Sequence, residues 1–162
     1  MIEAPFDRYR AVVLPEWIDY NGHMNVAYYL LAFDQATDLF FDYLGLDAAH
    51  REATGGSTFA GDIHLTYQRE LREGEPLRVT SQLVGFDEKR LRFFQRMVHA
   101  EEGFLAATME CLTLYVDLSR RKVAPFPPFL AARLAAVFAV HRGLPLPPEA
   151  GRTIVKPPLP QP

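Results

Sequence analysis

The sequence predicts an α+β domain in which one long helix is wrapped by a curved antiparallel sheet, with a second helix at the C-terminal end. Three observations carry that expectation. A single long apolar stripe of helical period comes first, the period then changes to two, and the links between the later strand-like runs are too short for parallel crossovers. One apolar helix and several half-apolar strands bury one another when the sheet curls around the helix.

Phe6 to Leu14 is rich in aromatic and β-branched residues and ends at Pro15, so it reads as a first strand, and Pro15 to Asn25 reads as a connecting loop. Asn25 is a good N-cap. After it Val26, Tyr29, Leu30, Phe33, Ala36, Thr37, Phe40 and Leu44 recur at helical spacing until Gly45 supplies a stop. Asp34, Asp38 and Asp42 fall four apart on one stripe of this helix, which reads as a solvated face. From Ser57 the period is two: Phe59, Gly61, Ile63, Leu65 and Tyr67 are expected on one side, and Ala60, Asp62, His64 and Thr66 on the other. Leu77–Phe86, Leu91–Ala100 and Phe104–Asp117 follow as strands. Phe129 to His141 carries Leu130, Leu134, Val137 and Phe138 at helical spacing and stops at Gly143. Residues 1–143 thus form one domain, and residues 144–162, with seven prolines, an extended tail without regular hydrogen-bonded structure.

With 162 residues, 49% of them hydrophobic and 23% charged, the chain suits one compact core. A formal charge of −3 gives no general attraction for nucleic acid, so an anionic ligand needs a local basic cluster. The single cysteine, Cys111, excludes an intramolecular disulfide and any multi-cysteine metal site and fits a reducing compartment. No segment has the length and apolarity of a signal peptide or a membrane span, so a cytoplasmic protein is expected.

The densest polar segment is Asp19-Tyr20-Asn21-Gly22-His23-Met24-Asn25, at the approach to the long helix. A helix start offers unpaired N–H groups and the positive end of the dipole, which can polarise a carbonyl and hold a developing oxyanion; the expected donor is the N–H of Val26 or its neighbour. An aspartate, with an ordinary pKa of about 3.9, is available at neutral pH as nucleophile or general base. Asp, Asn and Gly before a helix are equally ordinary turn and capping residues, and spacing alone leaves both readings open. His23 can orient Asp19 or a substrate, or simply hydrogen-bond locally, and Asn25 reads as a cap before a catalytic amide.

The run Trp17 to Tyr29, W-I-D-Y-N-G-H-M-N-V-A-Y-Y, resembles the signature D-x-x-G-H-x-N-x-x-x-Y of the 4-hydroxybenzoyl-CoA thioesterase branch of hotdog-fold enzymes, and the strand order agrees over roughly Phe6 to Val123. The resemblance implies a hotdog acyl-CoA thioesterase that hydrolyses a small or medium acyl-CoA to free acid and coenzyme A, with no metal or redox cofactor. By the same resemblance Asp19 attacks the thioester carbonyl or activates water, Gly22 makes the turn, and Val26 opens the helix that polarises the carbonyl. Many relatives carry a second acid two residues earlier, where this chain has Trp17. The variant W-I-D-Y-N-G-H-M also resembles thioesterases linked to betainyl-CoA, some fused to carnitine dehydrogenase, although Asn25 to Tyr28 departs from the fused pattern.

Candidate substrate contacts are Tyr29, which also reads as apolar helix content, Asp62 and His64 on their shared strand face, which also read as an exposed or core-satisfied pair, and the basic hairpin of Lys89, Arg90 and Arg92, which also reads as a solvated turn; by the resemblance Lys89 and Arg90 match family positions that meet coenzyme A phosphates. Arg69 and Arg72 are further cationic candidates, and Phe40, Phe59, Phe93, Phe94 and Tyr67 are aromatic candidates for the acyl pocket. A sheet covering one helix leaves an open strand edge, so a homodimer or homotetramer is expected. A non-catalytic acyl-CoA-binding module and a hotdog hydratase or dehydratase are the alternatives; the first has no need of Asp19, and the second needs a His and acid pattern not found around the long helix.

Overall fold

The computed structural model describes residues 1–158, so Pro160 and Pro162 of the tail lie outside the described residues. The elements in order are β1 (Phe6–Val12), a 3-10 turn (Pro15–Trp17), α1 (Val26–Leu44), α2 (Ala48–Thr54), β2 (Gly56–Tyr67), β3 (Pro76–Phe86), β4 (Arg90–His99), β5 (Leu105–Asp117), β6 (Lys122–Val123) and α3 (Pro128–His141). The strands form one antiparallel sheet in the order β1-β3-β4-β5-β2, with β6 added to β5. This is the hotdog arrangement, with α1 against the concave face.

α1 begins where Asn25 stands in extended conformation and its Oδ1 accepts the Ala27 N–H at 2.9 Å. It ends at Gly45, whose φ of 91° is the left-handed cap that an L side chain resists. Tyr29, Ala32, Phe33, Ala36, Phe40 and Leu44 form its buried stripe. Facing them are Leu91, Phe93, Gln95 and Met97 of β4 and Met109 and Cys111 of β5, all buried. Gln95 is a polar group in this core, and it is satisfied: its Nε2 donates to Ser81 Oγ at 3.0 Å, and its Oε1 accepts from Thr37 at 3.3 Å.

Two short elements escape the sequence reading. α2 has no apolar period, although Asp47 caps it through the His50 N–H and Gly55 ends it with φ 66°; β6 is a two-residue return. The alternation in β2 also needs correction. A bulge between Ala60 and Asp62 reverses the faces, so Ala60 sides with Ile63 and Tyr67 towards α1, while Phe59 joins Asp62 and His64 on the outer face. Gly61 sits at that irregularity, where an added Cβ would lie 2.6 Å from Leu114 Cδ1.

α3 closes the end of the sheet that β1 does not reach. β1 pairs with β3 no further than Ser81, and beyond that point the Leu83 N–H donates to His141 Nδ1 at 2.9 Å. His141 Nε2 reaches the Glu3 carbonyl at 2.7 Å, so one fully buried imidazole takes the place of a missing strand partner. Burial pushes its pKa below the ordinary histidine value, which keeps it neutral for this bridging role.

The tail has no helix or strand over its described residues, but it makes short turns and is fastened to the sheet. Pro147 is buried, and the Gly151 N–H donates to Glu110 Oε2 at 2.6 Å. The segment from Leu144 to Pro148 borders the outward-facing Phe94, which is 2% exposed. Among the described residues no helix is long and apolar enough to cross a membrane.

Candidate functional site

The segment expected to be a plain loop between β1 and α1 is a small hairpin. Ile18 bridges Met24, the Asn25 N–H donates to the Trp17 carbonyl at 2.8 Å, and the Asp19 N–H donates to the His23 carbonyl at 3.1 Å. Its turn is Asp19-Tyr20-Asn21-Gly22: the Gly22 N–H returns to the Asp19 carbonyl at 3.0 Å, and Gly22 adopts φ 77°. The Met24 N–H donates to the Leu71 carbonyl at 2.8 Å, which anchors the hairpin to the β2–β3 link. Leu71 is fully buried among charged neighbours. That lone apolar residue in a polar run was the available sign of an anchor.

Asp19 is half-buried and serves two partners. Its Oδ1 accepts the Asn21 N–H at 2.8 Å, and its Oδ2 faces Asn25 Nδ2 at 3.3 Å. Because Asn25 Oδ1 caps Ala27, one amide side chain links the carboxylate to the open end of α1. The Tyr28 N–H returns to the Asn25 carbonyl at 3.0 Å, which leaves the Val26 N–H as the first helix donor without a protein acceptor among the described residues. The turn-and-cap reading and the reactive-carboxylate reading of this segment therefore occupy the same atoms. No ion pair among the described residues involves Asp19.

Beside the helix start lies a cleft of about 240 Å³ bordered by His23, Val26, Tyr29, Tyr67, Arg69 and Glu70. His23 Nδ1 is 3.1 Å from the Met24 carbonyl, which holds the ring locally. Tyr29 touches the cleft but is 4% exposed, and its hydroxyl accepts the Leu71 N–H at 3.0 Å, so it braces the wall with its oxygen already engaged. Burial raises its pKa and keeps it a phenol. Tyr67 is 47% exposed and reaches the Val26 carbonyl with its hydroxyl at 3.4 Å.

The other expected contacts do not gather here within one chain. Asp62 and His64 lie on the outer sheet face, in a depression of about 310 Å³ shared with Arg92, Glu110 and Arg152. Arg92 is paired with Glu110 there at 2.5 Å. Lys89 and Arg90 sit in the β3–β4 turn, exposed; Arg90 binds Asp87 at 2.6 Å and Lys89 approaches Glu88 at 3.8 Å. Arg72 is held by Glu70 at 2.7 Å. Of the aromatic candidates, Phe40 and Phe93 fill the core, Phe94 lies under the tail, Phe59 faces outward, and Tyr67 alone borders the helix-start cleft. A single sequence shows strand alternation but not the bulge or the curl that decides which of these rings meets the site.

The model of the thioesterase-like superfamily matches residues 13–134. A betainyl-CoA thioesterase from Pseudomonas aeruginosa is 41% identical over 93% of this chain and 95% of its own length. A fused L-carnitine dehydrogenase/betainyl-CoA thioesterase from Agrobacterium fabrum is 37% identical over 94% of this chain, which spans only 31% of the fused protein. Among solved structures, a hypothetical protein from Staphylococcus aureus in complex with CoA superposes with a TM-score of 0.88 at 29% identity, covering 97% of this chain and 98% of that one. The chain belongs to the thioesterase-like superfamily and is a thioester hydrolase of hotdog fold.

Proposed function

We propose that the chain hydrolyses an acyl-CoA whose small acyl group carries a trimethylammonium cation, as in betainyl-CoA, with Asp19 as nucleophile or general base. The observation that carries the mechanism is the link from the Asp19 carboxylate through Asn25 to the open end of α1. A thioester carbonyl bound at the Val26 N–H gains charge on its oxygen during attack, and the positive helix end favours that charge. Asp19 supplies the electron pair, directly or through water, and the thiolate of coenzyme A leaves without a strong acid to protonate it. The reaction consumes only water, so the reading includes no metal or redox cofactor. His23 orients the turn, and Gly22 permits its left-handed corner.

The acyl group is inferred from the near full-length likeness to the Pseudomonas betainyl-CoA thioesterase. Assembly into a homodimer or homotetramer belongs to the same reading. It is supported by β2, whose far edge has no strand partner among the described residues, and by exposed Phe59, Ile63 and Tyr67 along it. In such an assembly Lys89, Arg90 or Arg92 of a second copy supplies the cations for coenzyme A phosphates, and Asp62 and His64 lie along the joined outer face. A cytoplasmic setting fits the lone buried thiol of Cys111.

The test is thiol release from a panel of short, aromatic and trimethylammonium acyl-CoAs by wild type and by Asp19→Asn. Betainyl-CoA is expected to give the highest kcat/KM, and Asp19→Asn to lower kcat by about 10²–10⁴-fold with the fold retained. A variant within about threefold of wild type removes Asp19 from the chemistry. Binding of acyl-CoA without turnover makes the chain a non-catalytic module.

A further inference from the structure

We infer that Tyr67 is the residue that recognises the trimethylammonium group, by presenting its ring in the cleft beside the start of α1. The inference rests on the proposed betaine-type substrate and adds the side chain that selects it. Betaine is an N-trimethylated glycine, so its nitrogen lies two bonds, about 2.5 Å, from the thioester carbonyl carbon. A carbonyl held at the Val26 N–H therefore keeps the cation within the first turn of the helix. That distance decides among the clefts along α1, of which the one beyond Asp38 lies farther still. The one containing Asp34 and Asp38 also holds Phe41 and Phe93, but Asp34 is eight residues beyond Val26, about 12 Å along the axis. A cation so close to its carbonyl does not span that gap.

Tyr67 meets the requirement. It is the last residue of β2, on the face that turns towards α1, and its hydroxyl approaches the Val26 carbonyl at 3.4 Å. The edge-to-face contact with Tyr29, centroids 5.3 Å apart at 86°, braces the ring from the side, and Tyr29 is itself fixed by the Leu71 N–H. The ring is thus positioned before ligand arrives and still 47% exposed. A quaternary ammonium has no N–H to donate, so its recognition comes from an aromatic π-surface and nearby negative charge rather than from hydrogen bonds. Glu70 borders the same cleft with its carboxylate paired to Arg72 at 2.7 Å, so recognition falls on the ring. Arg69 also borders the cleft, with its guanidinium engaged 3.8 Å over the Phe104 ring and 3.8 Å from Glu102.

The experiment compares betainyl-CoA with 3,3-dimethylbutanoyl-CoA, in which carbon replaces nitrogen and the shape is kept without the charge. The readout is the ratio of kcat/KM for the two thioesters, which cancels any general loss of activity or folded protein. Tyr67→Leu is expected to lower that ratio at least about tenfold, while Tyr67→Phe, which keeps the ring and loses the hydroxyl, stays within about threefold of wild type. A charge preference that Tyr67→Leu retains overturns the site and leaves the substrate reading standing. A ratio that falls equally in Tyr67→Phe transfers the effect to the hydroxyl and overturns recognition by the ring. A wild-type enzyme that hydrolyses both thioesters equally, or neither while another acyl-CoA turns over, overturns the betaine reading and the site with it.

Discussion

The turn before α1 and the turn between β3 and β4 are built on the same local device and differ in one respect. Each starts with an aspartate whose Oδ1 accepts backbone N–H groups just ahead of it: Asn21 for Asp19, and Lys89 and Arg90 for Asp87. The residue three places on is Arg90 in the second turn, where its guanidinium takes Asp87 Oδ2 at 2.7 Å. That hydrogen bond, ahead of the Lys89 N–H, holds the Asp87 carboxyl down at about 2. The turn after β5 repeats the pattern, with Arg120 three residues after Asp117. At the helix start the corresponding residue is Gly22, and the second oxygen of Asp19 meets an amide instead of a cation. An Asx turn by itself is structural. At Asp19 the same turn is made with no guanidinium on the carboxylate, next to a helix N-terminus.

The largest expected effect that tests this contrast is catalytic. Asp19→Asn is expected to lower kcat by about 10²–10⁴-fold, whereas Asp87→Asn leaves kcat within about threefold, because only the first carboxylate contacts the residue that caps α1. Equal losses would make both aspartates structural. The next is an attempt to convert one turn into the other. Gly22→Arg restores the aspartate-to-arginine spacing, and Gly22→Ala carries the same left-handed strain of about 1–2 kcal/mol without the charge. The arginine variant is expected to lose at least about tenfold more kcat than the alanine variant, as its guanidinium pairs with Asp19. Identical rates would show that the missing cation is irrelevant.

A smaller effect concerns the link itself. Asn25→Ala removes both the cap on Ala27 and the contact to Asp19, and urea denaturation is expected to show a loss of about 1 kcal/mol. A change of a few tenths would mean that the helix start is held by Trp17 and Leu71 alone. The smallest effect is in acid. Asp87 has a folded pKa below the unfolded value of about 3.9, so its contribution to stability is fully present above that value and is lost as pH falls through about 2. The difference in Tm between wild type and Asp87→Asn should therefore be greatest near neutrality and close between pH 4 and 2; a constant difference would assign it to the turn hydrogen bonds and not to charge.

Much of this was legible beforehand where neighbours in sequence are neighbours in space. The helix from Val26 to Leu44, the cap at Asn25 and the stop at Gly45 follow from spacing of one helical turn, although Val26 and Leu30 of the expected stripe are exposed, and the short strand links determine antiparallel pairing. The candidate site was legible to the extent that it lies within one segment: Asp19, Gly22, Asn25 and Val26 are all within eight residues, so the turn and the cap bring them together locally, while the anchor at Leu71 comes from the distant β2–β3 link.

The sequence by itself determined the long helix, the run of antiparallel strands and a carboxylate delivered to the helix start, because each depends on dihedral preferences and hydrogen bonds only a few residues in reach. Tertiary structure alone decided that a bulge near Gly61 sends Phe59 outward and Tyr67 inward, and that Asp62, His64 and Arg92 share the outer face. It also decided that His141 completes the edge of β3 and that the proline-rich tail fastens to Glu110. Those outcomes depend on which surfaces meet when the sheet curls around α1, a choice made by the packing of residues far apart in the chain.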